Sequence, residues 1–363
     1  MSLLVATPLS NSRSDSCPHP SADPVHLFRP PTHQSESAAE TLHATANARP
    51  ASLHPVSDSL SPGVGPAADP AIATSSAPAA PRAPIDLETY YTEAGMDYRA
   101  WSRGFNMHFG FWRAWMNPFA LERMLEQMSR EVFARLHLAD GDRVLDLGCG
   151  VGAPARALIA ERHVALTAVT KVEWQIAMAR RLAEDTTPAG TVEWMLGDYT
   201  ALDLPSGAYQ GAFSIEASCH AAGAAKEPFV REAARLLAPG ARLVIADGFM
   251  KKSRIPGWYR SLLESMTRSW AVERFADLDA FTACLERHGL AVEAVEDISY
   301  RIAPSALHIP RVTIAFLVKE LLVHRRWLNR ARWGHVIACI IAPFIGLGRA
   351  WFGYYLVTAR KRA

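Results

Sequence analysis

Three glycines, Gly148, Gly150 and Gly152, stand at alternate positions after the apolar run 144–147 and just before Pro154. A glycine loop between a buried strand and a helix start lets the backbone turn tightly and approach a ligand. Its amides and the positive helix end attract a carboxylate or a phosphate. Asp146 adds an acceptor for a cationic or hydroxyl-bearing ligand, and Cys149 sits between two of the glycines. The same letters satisfy the loose dinucleotide pattern G-x-G-x-x-A through Ala153, so glycine spacing leaves the cofactor open. Farther on, Glu216 and His220 follow another apolar run. A carboxylate and an imidazole are the side-chain types that stabilise charge and move protons.

Those groups need elements to hold them. Residues 144–147, 164–169, 192–196, 211–215 and 242–246 read as strands, separated by helical stretches at 175–183 and 228–237. Such alternation calls for a parallel sheet covered by helices on both faces. A helix over 278–288 should end at Gly289, followed by a strand over 291–302 and a last, antiparallel strand over 354–359. The expected fold is therefore α/β, a doubly wound, seven-stranded, mostly parallel sheet. The intervening segment, 304–350, is too long for an ordinary loop and should form its own helices.

Residues 1–84 hold 14 of the 24 prolines and, apart from histidines, a single aromatic residue, Phe28. They lack the apolar content to offset chain ordering and read as a disordered tail, leaving one domain over 85–363. Residues 1–6 are too short for a signal-peptide core, and Asp15, Asp23, Glu36 and Glu40 disfavour an organelle transit peptide, so a cytoplasmic location is expected. The net charge is +2 and no long basic stripe occurs, which argues against a nucleic-acid partner. Five scattered cysteines lack the paired spacing of a zinc site and read as reduced thiols, with no metal expected.

The glycine loop resembles the first motif of class I S-adenosylmethionine-dependent methyltransferases, with the likeness running over roughly 90–359. The resemblance implies that Asp146, Gly148, Cys149, Gly150 and Gly152 hold the methionine end of S-adenosylmethionine. The usual acidic residue after the second strand is replaced by Thr170-Lys171-Val172-Glu173-Trp174-Gln175. That departure resembles the lipid-directed branch of sterol methyltransferases and cyclopropane fatty-acid synthases, and implies neutral hydrogen bonds from Thr170 and Gln175, beside Lys171. Glu173 keeps the ordinary carboxylate role open. Asp198-Tyr199 matches the adenine-binding position of the family.

Residues 213–220 resemble a segment of sterol C-methyltransferases, which makes Glu216, His220 and Tyr91 the catalytic candidates. The aromatic stretch 85–135, with Tyr90, Tyr91 and Met107-His108-Phe109-Gly110-Phe111-Trp112, resembles the lid of sterol and tocopherol methyltransferases and implies that Tyr90 also reaches the donor. The acceptor implied is a carbon of a sterol, isoprenoid or related lipid. Alternatives are O- or N-methylation of a prenylated phenol or small metabolite, and a non-catalytic membrane- or partner-binding domain; a nicotinamide oxidoreductase gives Asp146 and Asp198-Tyr199 no required role. Segment 309–347, basic and bearing tryptophans, suits either peripheral contact with an anionic membrane or a roof over the site. Its apolar run 336–347 is too short to span a bilayer.

Overall fold

The strand and helix signals that begin at Arg143 build a single mixed sheet in the computed structural model, which describes residues 86–184 and 187–363. The tail expected over 1–84 lies outside the described residues. The strands are β1 (Arg143–Leu147), β2 (Ala165–Thr170), β3 (Thr191–Leu196), β4 (Tyr209–Ile215), β5 (Leu237–Met250), β6 (Ala276–Asp277), β7 (Leu290–Asp297) and β8 (Phe352–Lys361). Seven of them follow the order β3-β2-β1-β4-β5-β8-β7, and the two-residue β6 pairs with the end of β5. Pairings among β1 to β5 are parallel, whereas β8 runs antiparallel to both β5 and β7. Chain order reverses between β1 and β4, and the crevice beyond the carboxyl ends of such strands is where open α/β sheets hold ligands.

Central strands are apolar on both faces because helices cover both. Leu145, Leu147, Leu243 and Ile245 join one buried cluster, while Val144, Val244 and Ala246 join the cluster on the opposite face. The covering helices include α3 (Leu121–Leu136), α4 (Ala153–Glu161), α5 (Glu173–Ala183), α6 (Glu227–Leu236) and α8 (Leu278–Arg287). α4 starts with Pro154 in its first turn, and α8 is followed by Gly289 at φ +77°. β7 is shorter than the strand expected over 291–302. Asp297 accepts from the amide and hydroxyl of Ser299, which turns the chain into a helix and ends the strand.

Two helical pieces lie against the carboxyl edge. The lid begins with α1 (Leu87–Ala94), capped by Asp86 through the Thr89 amide, and continues in α2 (Tyr98–Trp101). The insert before β8 contains α9 (Ser299–Ala306), α10 (Ile309–Leu317), a π-helical turn over Val318–Val323, and α11 (Arg330–Leu347), with α7 (Gly257–Ser269) packed alongside α11. Lid and insert are joined by an Arg332–Asp97 ion pair at 2.8 Å and by packing of Tyr90 and Ala94 on Ala331. Among the described residues, no helix is long and apolar enough to cross a membrane.

Candidate active site

Two adjoining hollows open at the carboxyl edge of the sheet. A cleft with about 720 Å³ of empty space, its mouth included, is lined by Asp146, Gly148, Cys149, Thr170, Gln175 and Tyr199. A chamber with about 2030 Å³ of empty space, mouth included, lies between the lid, the β5 end and the insert, and its walls are mostly apolar. Tyr91, Met107, His108, Glu216 and His220 line both.

β1 delivers Asp146 into the cleft and the loop then turns through Gly148 at φ +106°. A Cβ at Gly148 would lie 2.2 Å from Ala217 Cβ, so glycine is demanded by close approach as well as by the backbone. The Gly148 and Cys149 amides donate to Val169 O at 3.1 and 2.8 Å. Contrary to the expectation of open loop amides, these two anchor the loop to β2, and the amide end of α4, which carries no side-chain cap, is left for a ligand. Asp146 is buried, and that burial holds its carboxyl well above the usual range. Among the described residues its Oδ2 has no hydrogen-bond partner. A buried, orphaned carboxylate oxygen fits a ligand that brings a cation or a donor.

The end of β2 is arranged through its own side chains. Thr170 Oγ1 donates to Gln175 Oε1 at 2.6 Å and accepts from the Val172 amide at 3.3 Å, so both neutral groups are fixed on the cleft wall. Glu173 is exposed on the first turn of α5 and does not line the cleft. Lys171 lines it and forms a half-exposed ion pair with Asp198 at 2.9 Å. Asp198 itself lies outside the lining; although burial acts the other way, hydrogen bonds from Thr200 and Lys171 hold its carboxyl below the usual range. Tyr199 does line the cleft and donates to Ala217 O at 2.8 Å.

Gly150, Gly152 and Tyr90 are likewise not brought into the lining. At Gly152 a Cβ would meet the Trp194 ring at 2.3 Å, and at Gly150 the nearest atom is Met107 Sδ. Tyr90, expected at the donor, is buried edge-on to Tyr91 with its hydroxyl 2.8 Å from His335 Nδ1. The physical reason is helical geometry: adjacent residues of α1 point about 100° apart, so of the two tyrosines only Tyr91 faces the cleft, one turn after Leu87.

The three catalytic candidates meet on the shared wall. Glu216 adopts φ +50°, an uncommon left-handed conformation for a non-glycine residue, and Oε1 accepts from Phe109 N at 2.6 Å and from the Tyr354 hydroxyl at 2.8 Å. Burial pushes its carboxyl up to about 8. His220 Nδ1 faces Ala271 O at 3.3 Å, which assigns the proton to Nδ1 and leaves Nε2 to accept from the Tyr91 hydroxyl at 3.2 Å. Burial lowers the imidazole to about 4, so it is neutral.

Sequence reasoning placed His108 in the aromatic lid without a role of its own and missed three further supporting groups. His108 is buried, directs Nδ1 at Phe109 O at 2.9 Å and leaves Nε2 without a partner among the described residues. Tyr354 reaches Glu216 from β8, which no local pattern reveals. Asp247, on the carboxyl half of β5, accepts from Ser218 Oγ at 2.6 Å and the Cys219 amide at 2.9 Å. Its place at the end of a predicted strand was the available signal. Lys226 is fully buried and donates to the carbonyls of Cys219, Ala221 and Arg274.

Comparison with known proteins agrees with this geometry. Residues 144–240 match the methyltransferase domain family. An O-methyltransferase of Aspergillus nomiae is 32% identical over 175 residues, covering 46% of this chain and 76% of the relative. The 2-methyl-6-phytyl-1,4-hydroquinone methyltransferase of Synechocystis is 31% identical over 219 residues, covering 60% of this chain and 66% of the relative. Among solved structures, the cyclopropane synthase MmaA2 of Mycobacterium tuberculosis superposes with a TM-score of 0.64 at 15% identity, over 76% of this chain and 97% of that one. The chain belongs to the class I S-adenosylmethionine-dependent methyltransferases. It is an enzyme that uses S-adenosylmethionine.

Proposed function

We propose that the acceptor is a lipophilic molecule of sterol, isoprenoid or prenylated-phenol type, methylated on a carbon of its electron-rich head. The observation that carries this reading is the shared wall: Tyr91, Met107, His108, Glu216 and His220 line both the cleft with Asp146 and the mostly apolar chamber. When bound, S-adenosylmethionine supplies an electrophilic methyl group. Asp146, Thr170, Gln175 and the amide end of α4 would hold it in the cleft. Attack by an alkene or electron-rich ring leaves positive charge on the acceptor, and a proton must then depart. The rings of Tyr91, Tyr98, Trp101 and Phe109 surround that part of the chamber and would favour such a cation by about 1–2 kcal/mol each when desolvated. A cation beside Glu216 also draws its proton away and favours the carboxylate. The neutral His220 and Tyr91 pair is the proton acceptor.

O-methylation is the second reading, because a neutral imidazole Nε2 already placed to accept from a hydroxyl, that of Tyr91, would equally accept from an acceptor hydroxyl. One relative is named an O-methyltransferase, and another is named for a phytyl hydroquinone, a prenylated phenol. Incubation with methyl-labelled donor and a lipid extract, followed by product identification, decides. Label on an apolar product's carbon supports the proposal; label on oxygen or nitrogen overturns the carbon assignment, and label confined to small polar products overturns the lipophilic acceptor.

A further inference from the structure

The insert is apolar on two sides. One side of α10 and α11 closes the chamber through Ile309, Val312, Phe316, Val336 and Ala342. The other carries an apolar stripe on α11 that no described residue covers, formed by Trp333, Ile337, Ile340 and Phe344, whose spacing of four and three residues keeps them on one helix face. α10 and the π-helical turn after it expose Ile314, Val318 and Leu322, and the connection to α11 presents Trp327, 87% exposed. A helix that is apolar on the side facing solvent as well as on its buried side is out of place on a surface bathed only by water.

Charge on the same segment points to what covers it. Residues 307–349 contain seven Lys and Arg against one acid, Glu320, in a chain whose net charge is only +2. Glu320 is buried and paired with Arg332, so it does not offset the exposed cations Arg311, Lys319, Arg325 and Arg326. A second copy of this face would set cations against cations. A surface with anionic headgroups above an apolar interior complements both features, with tryptophans at the boundary as interfacial segments place them. α11 is 18 residues long and carries Pro343, which suits lying on a bilayer rather than crossing it.

We propose that the exposed face of α10, the π-helical turn and α11 docks on a bilayer surface bearing anionic lipids. The same helices then contact lipid on one side and the chamber on the other, so an acceptor resident in the bilayer meets the enzyme at the chamber's roof. The docking stands on exposure and charge; only its use for delivering the acceptor rests on the lipophilic-acceptor reading. Vesicle binding is measured without any acceptor, which keeps a failure of docking distinguishable from a failure of that reading.

The test uses the full chain and sedimentation with vesicles of phosphatidylcholine alone or mixed with phosphatidylglycerol. Binding to the mixed vesicles, weaker on the neutral ones and reduced by salt, is expected. The pair Arg325→Ala and Arg326→Ala should weaken partitioning about thirtyfold, roughly fivefold per arginine near an anionic surface. The pair Leu322→Glu and Phe344→Glu should abolish it. These side chains are exposed and lie outside the cleft lining, so thermal melts and calorimetry with S-adenosylhomocysteine should be unchanged and serve as the folding control. Protein that stays in the supernatant with both vesicles, or binding that none of these substitutions moves, overturns the proposal. So does a dimer in solution that Leu322→Glu and Phe344→Glu dissociate, which would assign the face to a second copy of the chain.

Discussion

The Tyr91 hydroxyl stands 3.2 Å from His220 Nε2, joining the lid to the loop after β4 across 129 residues of sequence. Because His220 Nδ1 faces the Ala271 carbonyl, the pair has one sensible polarity, with tyrosine donating to imidazole. His220→Asn should lower kcat by about a hundredfold or more, the usual loss of a positioned general base. Tyr91→Phe should cost about tenfold, since it removes only the group that orients the imidazole and could pass its proton. Donor affinity measured by calorimetry should move little in either. Parallel loss of donor binding and turnover would reassign the pair to the cleft.

Glu216 makes stability depend on pH between the ordinary carboxyl range and about 8. Burial raises its carboxyl from the ordinary 4.5 to about 8, so the folded state keeps a proton that the unfolded state has released. Stability therefore falls as pH rises from about 4.5 to about 8 and is level beyond. Glu216→Gln removes this dependence. It should match the parent near pH 4.5 and exceed it on the order of 5 kcal/mol above pH 8, read by denaturant unfolding at both values. In kinetics, a carboxylate serving the cationic stage gives kcat/KM a limb near pH 8 that the glutamine variant lacks, together with a turnover loss of a hundredfold or more. A variant of unchanged kcat would confine Glu216 to holding Phe109 and Tyr354.

His108, His220 and His335 act in the opposite direction. Burial depresses each imidazole from 6.5 to about 4, so the unfolded chain takes up protons before the folded one does. Their contribution is fully present above about pH 6.5 and is lost as pH falls to about 4. The thermal midpoint should drop steeply over that interval. His108→Phe, which removes the unpartnered Nε2, should lessen the drop. An unchanged slope would mean that His108 is charged in the folded protein.

Legibility in the sequence follows the range over which each feature is encoded. β1 to β5 are visible because central parallel strands read as short apolar runs, and the turn at Gly148 because only glycine enters that backbone region. Asp146, Thr170, Gln175 and Tyr199 were legible from their order along the chain, and the structure puts all four on one cleft. Tyr90 was misplaced because adjacent aromatic residues do not reveal which faces inward until the helix is packed. Tyr354 bonding Glu216 was invisible because it joins segments 138 residues apart, and Lys226 closing three carbonyls because it depends on a loop that carries no apolar pattern and on the distant Arg274 carbonyl. The end of β7 was missed for a local reason, the Asp297 side chain capturing Ser299.

Asp146 couples donor binding to a cost in the ligand-free protein. Its buried carboxyl lacks a partner at Oδ2, and burial raises its proton affinity. Asp146→Asn keeps the shape and removes the charge. Affinity for S-adenosylmethionine should fall about tenfold to a hundredfold, the worth of a hydrogen bond to a charged group. The ligand-free protein should melt at an equal or higher temperature, since an uncompensated carboxylate has gone. Calorimetry and melting together check this; a variant that binds donor as tightly as the parent would remove Asp146 from the donor site. NAD should show no comparable affinity for the parent.

Lys226 determines whether the loop bearing His220 stays in place. Its ammonium is fully buried and donates to Cys219 O at 2.8 Å, Ala221 O at 2.7 Å and Arg274 O at 2.6 Å, which uses all three of its protons. Two of those carbonyls flank His220, and the third follows Ala271, whose own carbonyl fixes His220 Nδ1, by only three residues. Burial lowers the lysine's proton affinity, and the three carbonyls compensate a cation that would otherwise be costly to bury. Lys226→Met keeps the length of the side chain and leaves the carbonyls without donors. Each buried, unpaired carbonyl costs about 1–3 kcal/mol before relaxation, so a net loss on the order of 3 kcal/mol is expected in denaturant unfolding. Because the strain released falls on residues 219–221, turnover should drop well beyond any change in donor affinity, while Asp146 and the glycine loop still bind. A variant that loses stability but retains kcat at a temperature where it is folded would show that His220 holds its position without the lysine.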